Sequence, residues 1–330
     1  MSSQKILVIG PSWLGDMVMA QKLFKVIKDH YPKSKLHVAS PAWTIPLVSR
    51  MPEVDQPIAL PFSHGELNLI KRYQLGKSLK IEGYTEAIVL TNSFKSALIP
   101  FFANIPNRRG FLGEMRFGLI NDRIKKDKSL YRTVDQFLAL APKNKNVRPS
   151  LSTYLISKPS QARKLLKGKI KSSDKILAIA PGAEYGEAKR WPIEYFAQVS
   201  TAAIKKGWKV ITLGSTHDHE LGKLIDKLTK NKVINLIGKT KLEEVIDVMS
   251  ICNSFLSNDS GLMHVAASLR IKQIAIFGSS DPQKTPPLSR HAKTVYLGLS
   301  CSPCFERTCP LQHTNCLKNI KPEEIIRRVI

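Results

Sequence analysis

Acidic residues and long apolar runs are both scarce in this sequence. Its 330 residues carry 51 Lys and Arg against 26 Asp and Glu, a formal net charge of +25. Such an excess favours an acidic partner, whether nucleic acid, an anionic membrane surface or a phosphorylated substrate, and does not choose among them. No apolar stretch approaches the roughly 18 residues that a bilayer-spanning helix needs. The chain opens as M-S-S-Q-K-I-L-V-I-G, a strand pattern with no signal peptide before it, so we expect a cytoplasmic protein.

Several functional signatures are also missing. The first glycine corner reads G-P-S-W-L-G, without the G-x-G-x-x-G fingerprint, which counts against a dinucleotide-dependent oxidoreductase. Zinc-finger spacing and RNA-binding aromatic motifs are absent, so we expect no specific nucleic acid partner. Four of the five cysteines cluster at Cys301, Cys304, Cys309 and Cys316. Their spacing fits the usual zinc pairs poorly, and a cytoplasmic protein should not rely on disulfides, so we expect reduced structural thiols, with a four-thiolate zinc site as the alternative.

Apolar runs that alternate with helical patterns predict an α/β fold. Lys5–Ile9 is typical of a buried parallel strand, and a helical pattern follows over Leu14–His30. The other predicted strands are Leu36–Ala39, Ala87–Leu90, Ile176–Ala180, Lys209–Leu213, Val233–Leu236 and Ile274–Phe277, and the other predicted helices are Glu66–Glu82, Ser93–Asn104, Pro192–Lys206, His217–Thr229 and Leu242–Ser250. This alternation predicts Rossmann-like domains over residues 1–150 and 151–330, joined near the polar segment K-N-K-N-V-R-P-S.

The stretch Ser257–Ala267, S-N-D-S-G-L-M-H-V-A-A, follows an apolar run and opens a helical pattern, so it predicts a strand-to-helix turn. Asp259 is predicted to cap the helix, with Ser260 and Gly261 as its first residues and their N–H groups facing an anion such as a diphosphate. His264 lies one helical turn after Ser260 and could add a hydrogen bond or a positive charge. The plain alternative is a capped helix with a core histidine.

Further polar residues follow predicted strands, where ligands bind in open α/β sheets. Asp16 stands between the first strand and the first helix, Lys189 precedes a Trp-Pro helix start, and Asp218 and Glu220 follow the strand that ends at Leu213. A helix cap, a surface cation and a solvated acidic helix start are their respective alternatives. The segment from Arg108 to Lys128 is irregular and strongly basic, which is typical of a solvated loop.

Four motifs, in order, carry a resemblance to a known family: G-P-S-W-L-G-D-M-V-M-A-Q, A-K-R-W-P, N-D-S-G-L-M-H and G-S-S-D-P. Together with C-S-P-C near the end they resemble the ADP-heptose:lipopolysaccharide heptosyltransferase family over almost the whole chain. The resemblance implies a GT-B glycosyltransferase architecture, two Rossmann-like domains facing across a cleft. It implies acceptor binding mainly by the first domain and nucleotide-sugar binding mainly by the second, and it allows the last helix to pack back on the first domain.

The resemblance also implies a reaction. It is an inverting transfer of L-glycero-D-manno-heptose from ADP-heptose to the inner core of lipopolysaccharide, without metal or other cofactor. The pattern is most similar to the members that add the second heptose, with addition at the first or third position as the alternative.

Residue roles follow from the same resemblance, and each is a prediction. They are Asp16 as the base, Lys189, Glu220, Asp259, Ser260, Gly261 and His264 at the donor, and Lys95, Arg108, Arg109 and Arg116 as cations at the acceptor. The acceptor implied is a lipid A bearing Kdo and heptose, anchored in the inner membrane. The charge of +25 would then hold the enzyme peripherally at the anionic cytoplasmic face.

Overall fold

The computed structural model describes residues 4–62, 65–142 and 152–330. The chain forms two compact units, Met1–Ile156 and Ser157–Ile330. The predicted linker, residues 143–150, and the predicted boundary at residues 150 and 151 lie outside the described residues. Within the described ranges, no helix combines the length and the apolar character that crossing a membrane demands.

The first unit is built on a six-stranded parallel sheet in the order β3-β2-β1-β4-β5-β6. Its strands are β1 (Lys5–Ile9), β2 (Lys35–Pro41), β3 (Gln56–Leu60), β4 (Glu86–Val89), β5 (Asn107–Phe111) and β6 (Asp122–Ile124). Strand β1 lies between β2 and β4, with Ile6 opposite Leu36 on one side and Glu86 on the other. A strand paired on both edges and covered on both faces must be apolar throughout, which explains the continuous run in β1.

Helices cover this sheet. They are α1 (Leu14–His30), α2 (Ile45–Val48), α3 (Leu69–Lys80), α4 (Phe94–Phe102) and α5 (Thr133–Leu138), with a 3₁₀ turn at Ala42–Thr44. Alternate residues of β1 and β4, Leu7, Ile9 and Val89, pack with Ala97 and Ile99 of α4 in a buried core. Helix α1 ends with Lys28 and His30 in its last turn, where basic side chains favour the helix dipole.

The second unit repeats the same plan with the order β12-β11-β10-β7-β8-β9, again entirely parallel. Its strands are β7 (Ile176–Ala180), β8 (Lys209–Thr212), β9 (Ile234–Asn235), β10 (Ser254–Asn258), β11 (Lys272–Ile276) and β12 (Ala292–Val295). Both sheets therefore have the strand order of the Rossmann fold. The order in which strands are added along the sheet reverses between β1 and β4 in the first unit and between β7 and β10 in the second.

The helices of the second unit complete its core. They are α6 (Pro159–Leu165), α7 (Ile193–Lys205), α8 (His219–Leu228), α9 (Leu242–Ser250), α10 (Gly261–Ser268), α11 (Asn315–Lys318) and α12 (Pro322–Val329), with 3₁₀ turns at Glu187–Lys189 and Thr216–Asp218. Buried Trp191 anchors the end of the chain, because its indole Nε1 donates to the Ile320 carbonyl at 3.0 Å. The last helix, α12, packs against α7. Its packing back on the first domain, which the resemblance allows, stays a prediction.

Most predicted elements are confirmed, and four of them, β1, α1, β7 and α9, have the predicted bounds. The prediction of an irregular segment from Arg108 to Lys128 was wrong in part, because most of β5 and the whole of β6 lie in it, whereas residues 112–121 and 125–128 are irregular as predicted. Strand β5 reads N-R-R-G-F, and nothing in that pattern predicts a strand paired on both sides. Its polar side chains are accommodated by ion pairs and backbone acceptors instead of by apolar packing.

Candidate functional site

The two points where strand order reverses gather most of the predicted site residues. In an open parallel sheet the loops on either side of such a point diverge and leave a crevice at the carboxyl ends of the strands. In the first unit, Asp16 follows β1 and Lys95 follows β4. In the second unit, the loop ending at Lys189 follows β7, and Asp259 follows β10. Each unit therefore carries its own candidate site at the position where this fold binds ligands.

The centre of the second site is a buried ion pair. The Lys189 ammonium donates to Asp259 Oδ2 at 2.5 Å, and the Ser280 hydroxyl donates to the same oxygen at 2.6 Å. The Asp259 side chain is 6% exposed and that of Lys189 is 17% exposed. Desolvation strengthens such a contact and also makes either charge costly to leave alone. Ser280, which lies in the G-S-S-D-P motif, had no role in the sequence-based prediction.

Asn258, the residue before Asp259, fixes the loops around this pair. It is fully buried, its amide Nδ2 donates to the Pro181 carbonyl at 2.7 Å, and its Oδ1 accepts from the Trp191 backbone N–H at 2.9 Å. One side chain thus ties the end of β10 to both ends of the loop that contains Lys189. The sequence signal was the N-D-S-G motif, in which Asn258 was quoted without a function.

The helix start at this site differs from the prediction. Helix α10 begins at Gly261, and Ser260 is its N-cap, with φ −148° and ψ 168°. Asp259 was predicted as the cap, and that assignment was wrong because its carboxylate is engaged by Lys189 and Ser280. The Ser260 side chain makes no capping bond, and its Oγ is buried without a partner among the described residues. The first N–H groups of a helix lack intrahelical acceptors, so this corner can receive an anion.

His264 lies on the next turn of α10 and is neutral. Burial lowers its pKa from 6.5 to about 4, with the Asp259 carboxylate opposing the shift and the Lys189 charge adding to it. This low pKa counts against a positive charge on the ring at neutral pH, and the role of His264 at the donor stays a prediction. Its Nδ1 is buried and has no hydrogen-bond partner in the described parts of the chain. A neutral imidazole can still give or accept a hydrogen bond here.

The two acidic residues after β8 have different environments. Glu220 is exposed in the first turn of α8 and pairs with Lys223 at 2.8 Å, and the hydrogen bond from Lys223 lowers the pKa of the carboxyl. Asp218 is buried in a capping box, where its Oδ2 accepts from the Ser215 N–H at 2.9 Å and hydroxyl at 3.0 Å. Asp218 also packs closely against Gly182, and a Cβ added at that glycine would collide with the Asp218 carboxylate.

In the first unit, Asp16 lies in the first turn of α1, half-buried, and not in the loop that precedes the helix. The helix N-terminus stabilises an ionised carboxylate at this position. Lys95 occupies the corresponding place in α4, also half-buried. Both residues follow strands that flank the reversal of strand order, so they lie at the same edge of the sheet.

The three predicted acceptor arginines make contacts within the first unit. Arg108 donates to the carbonyls of Ile105, Gly118 and Leu119. Arg109 pairs with Asp122 at 2.7 Å and with Glu86 at 3.7 Å.

Arg116 is 1% exposed, donates to the Thr91 carbonyl at 2.8 Å and also to the Phe111 carbonyl, and burial lowers its pKa. These contacts count against Arg116 as a cation that meets a substrate, since its guanidinium holds two loops together. Its role at the acceptor, like those of Arg108, Arg109 and Lys95, stays a prediction.

The cysteine segment packs against the second site. The Phe305 N–H donates to the Ser279 carbonyl at 2.7 Å, and the Ala188 N–H donates to the Arg307 carbonyl at 2.9 Å. All the cysteines are free, and Cys252 is buried as predicted. Burial raises the pKa of the Cys316 thiol, and the nearby thiols of Cys301, Cys304 and Cys309 raise it further. Across the described ranges, no three His, Cys, Asp or Glu side chains are arranged to hold a metal ion.

Comparison with known proteins decides the family. Residues 72–315 match the family described as glycosyltransferase family 9 (heptosyltransferase). The chain belongs to this family. It is 43% identical over 306 residues to lipopolysaccharide heptosyltransferase 2 of Salmonella typhimurium, covering 89% of this chain and 88% of that protein. The Escherichia coli protein of the same name is 42% identical over the same shares.

A solved structure of the family agrees with the fold. The structure of E. coli ADP-heptose lps heptosyltransferase II superposes with a TM-score of 0.87 at 36% identity, covering 98% of this chain and 97% of that one. The predicted fold class, an α/β GT-B glycosyltransferase with two Rossmann-like units, is therefore confirmed. Membership of family 9 makes the chain a glycosyltransferase, and the alternative of a dinucleotide-dependent oxidoreductase is not favoured.

Proposed function

We propose that this family 9 enzyme transfers heptose from ADP-heptose to the inner core of lipopolysaccharide and adds the second heptose. The observation that carries the proposal is the identity of 42–43%, over nearly nine-tenths of both chains, to proteins named heptosyltransferase 2. The candidate site residues of both units support it, because they stand at the strand ends where this fold binds ligands.

The donor is assigned to the second unit. Its diphosphate would lie at the start of α10, near Ser260 and Gly261, with Lys189 as the cation and neutral His264 as a hydrogen-bonding neighbour. Asp259 holds the Lys189 ammonium, so the diphosphate would offer a second anion to a cation that is already in place. Glu220, exposed at the start of α8, would accept hydrogen bonds from sugar hydroxyls.

The acceptor hydroxyl is assigned to the first unit, where Asp16 would remove its proton as the oxygen attacks the anomeric carbon of the heptose. The bond from that carbon to the diphosphate breaks on the opposite side, so the configuration inverts and ADP leaves. The α10 N-terminus and Lys189 would stabilise the charge that develops on ADP. Lys95, at the same sheet edge as Asp16, would meet an anionic group of the acceptor. We expect the transfer to need no metal, so activity should persist in a chelator.

The acceptor proposed here is a Kdo- and heptose-bearing lipid A, and its lipid anchor places the enzyme at the cytoplasmic face of the inner membrane. A net charge of +25 suits a peripheral position at an anionic surface. We propose no specific nucleic acid partner.

The test is a transfer reaction with purified protein. ADP should be released, and the acceptor should gain mass, only when ADP-heptose and an inner-core acceptor are both present. An otherwise identical reaction with the Asp16→Asn variant is the control for contaminating activity. Release of ADP that does not depend on any acceptor would show a hydrolase and would refute the transfer.

A further inference from the structure

Helix α3 presents two different faces. Its buried face consists of Arg72, Gly76 and Leu79. Its outer face carries apolar side chains in solvent, since Ile70 is 72% exposed and Ile81, the residue after the helix, is 90% exposed. With about 3.6 residues per turn, positions 70, 73, 77 and 81 form one stripe along the helix.

The charge on this helix has one sign. Residues 69–80 include four cations and no acidic residue, and Lys71, Lys77 and Lys80 are exposed. The Lys77 ammonium lies 5.5 Å from the centroid of the half-exposed Tyr73 ring. Apolar, aromatic and basic side chains are therefore interspersed on the exposed surface of α3, a combination that suits the boundary between lipid headgroups and water.

The pattern continues onto α4. The Tyr73 ring packs edge-on against Phe102 at 5.3 Å, and Phe102 contacts the Phe101 ring at 5.7 Å. Phe101 is 43% exposed, and the Arg108 guanidinium lies 5.6 Å from its centroid. We call Ile70, Lys71, Tyr73, Lys77, Lys80, Ile81 and Phe101 together the α3 surface.

The α3 surface rests on a rigid base. A Cβ at Gly76 would lie only 3.0 Å from the Ile99 carbonyl oxygen, so the two helices approach closely. The buried Arg72 guanidinium stacks 3.8 Å from the Phe62 centroid and donates to the Lys95 carbonyl at 3.1 Å. The exposed side chains therefore belong to a fixed helix, and that helix is hydrogen-bonded to the first turn of α4 at Lys95, the residue proposed to meet the acceptor.

We propose that the α3 surface binds the interface of an anionic lipid bilayer, with Ile70, Tyr73, Ile81 and Phe101 entering the headgroup region. Charge complementarity selects this occupant, because residues 69–80 carry four cations and no acidic residue, and each exposed lysine adds to the attraction for anionic headgroups. A second copy of the chain, which also carries a net charge of +25, would present the same basic helix and would be repelled. The proposal rests on the proposed function, whose acceptor is a membrane-anchored lipid, and it names the surface that would bring Lys95 and Asp16 to that lipid.

The experiment is co-sedimentation of the full chain with vesicles of phosphatidylcholine alone or mixed equally with phosphatidylglycerol. The parent should bind the mixed vesicles, weakly or not at all the neutral ones, and less at high salt. Replacing Lys71, Lys77 and Lys80 with Gln should weaken binding about 100-fold, from the usual gain per lysine. Ile70→Ser with Ile81→Ser should weaken it by about tenfold or more.

A matched control removes the same charge elsewhere. The triple variant of Lys227, Lys230 and Lys232 to Gln, exposed lysines at the end of α8 and just beyond it, should bind within about threefold of the parent, because only long-range attraction is lost. Thermal unfolding of every variant near the parent temperature establishes that α3 is still folded. Equal binding of the α3 and α8 variants, or equal binding of the parent to neutral and anionic vesicles, would overturn the proposal.

Activity separates this proposal from the proposed function. On a deacylated, soluble acceptor the α3 variants should turn over as the parent does, whereas on an acceptor embedded in anionic vesicles they should be slower. If the parent transfers heptose to neither acceptor, the proposed function is refuted. The vesicle experiment still shows whether the α3 surface binds lipid. A parent that forms dimers sensitive to the α3 substitutions, and that ignores vesicles, would show that the surface binds a second copy and would overturn the lipid assignment.

Discussion

The ion pair between Lys189 and Asp259 gives a prediction that separates stability from nucleotide binding. Asp259→Asn leaves the Lys189 ammonium in a site where its side chain is only 17% exposed. Removing one partner of such a pair costs about 3 kcal/mol, the low end for fully buried pairs, because the lysine keeps some access to water. Lys189→Met leaves the more buried Asp259 carboxylate with its hydrogen bond from Ser280, and should cost a similar amount, about 2–3 kcal/mol.

The double variant, Lys189→Met with Asp259→Asn, removes both charges together. Its loss of stability should be smaller than the sum of the two single losses by about 1–3 kcal/mol, since neither charge is left alone. Nucleotide binding should behave differently. Both variants that lack Lys189 should bind ADP about 10–100-fold more weakly, the worth of a charge-assisted bond to phosphate. Asp259→Asn alone should bind ADP at least as tightly as the parent, because the Lys189 ammonium is no longer paired with the Asp259 carboxylate and can pair with the diphosphate.

Urea unfolding gives the stabilities and calorimetric titration with ADP gives the affinities. Arg328→Met, which breaks the exposed pair with Glu324 in α12, is the matched control and should change neither quantity appreciably. If the double variant, once folded, binds ADP as the parent does, Lys189 is a structural residue and the diphosphate lies elsewhere.

Three further predictions concern single side chains. Asp16→Asn should leave ADP affinity unchanged and lower turnover about 10²–10⁴-fold, as expected for a lost general base, and wild-type turnover would remove Asp16 from the mechanism. Lys22, 1% exposed, has its pKa lowered from 10.5 to about 8 by burial and by Lys25 and Arg132. The unfolded chain therefore binds more protons between these values, and the parent should gain stability as pH rises through that window. Lys22→Met should remove this gain and stabilise the protein by about 1–3 kcal/mol at pH 7, and equal urea midpoints for both proteins would contradict the assignment. His264, with its pKa lowered from 6.5 to about 4, should cost stability as pH falls between those values, so His264→Leu should flatten the decline of Tm in that range, and an unchanged slope would show that the ring is not buried as described.

The sequence predicted elements well where periodicity and burial agree. Strands β1 and β7 are apolar throughout because both their faces are covered, and α1 buries most of its positions, so their bounds are as predicted. Strand β5 was missed because its place between β4 and β6 is secured by the contacts of Arg108 and Arg109, which no pattern of apolar residues reveals. Tertiary context overrides local pattern at such positions.

The sequence predicted which loops carry the candidate site, but not which side chains contact each other within it. The motifs lie at both points where strand order reverses, and Lys189, Asp259 and His264 come together at the one in the second unit. The sequence could not show that Asp259 pairs with Lys189 across 70 residues instead of capping its own helix. A short acidic side chain before a helix satisfies either geometry, and only the fold brings a lysine within reach. The same holds for Ser280, whose partner is 21 residues away.

The most direct test of the account is to find which acceptor is extended. The purified protein is incubated with ADP-heptose and inner-core acceptors that already carry no heptose, one heptose or two, and the products are resolved by mass. We predict rapid extension of the acceptor with one heptose and little extension of the other two. Preferred extension of the acceptor with none, or of the acceptor with two, would contradict the assignment of this chain to the second transfer.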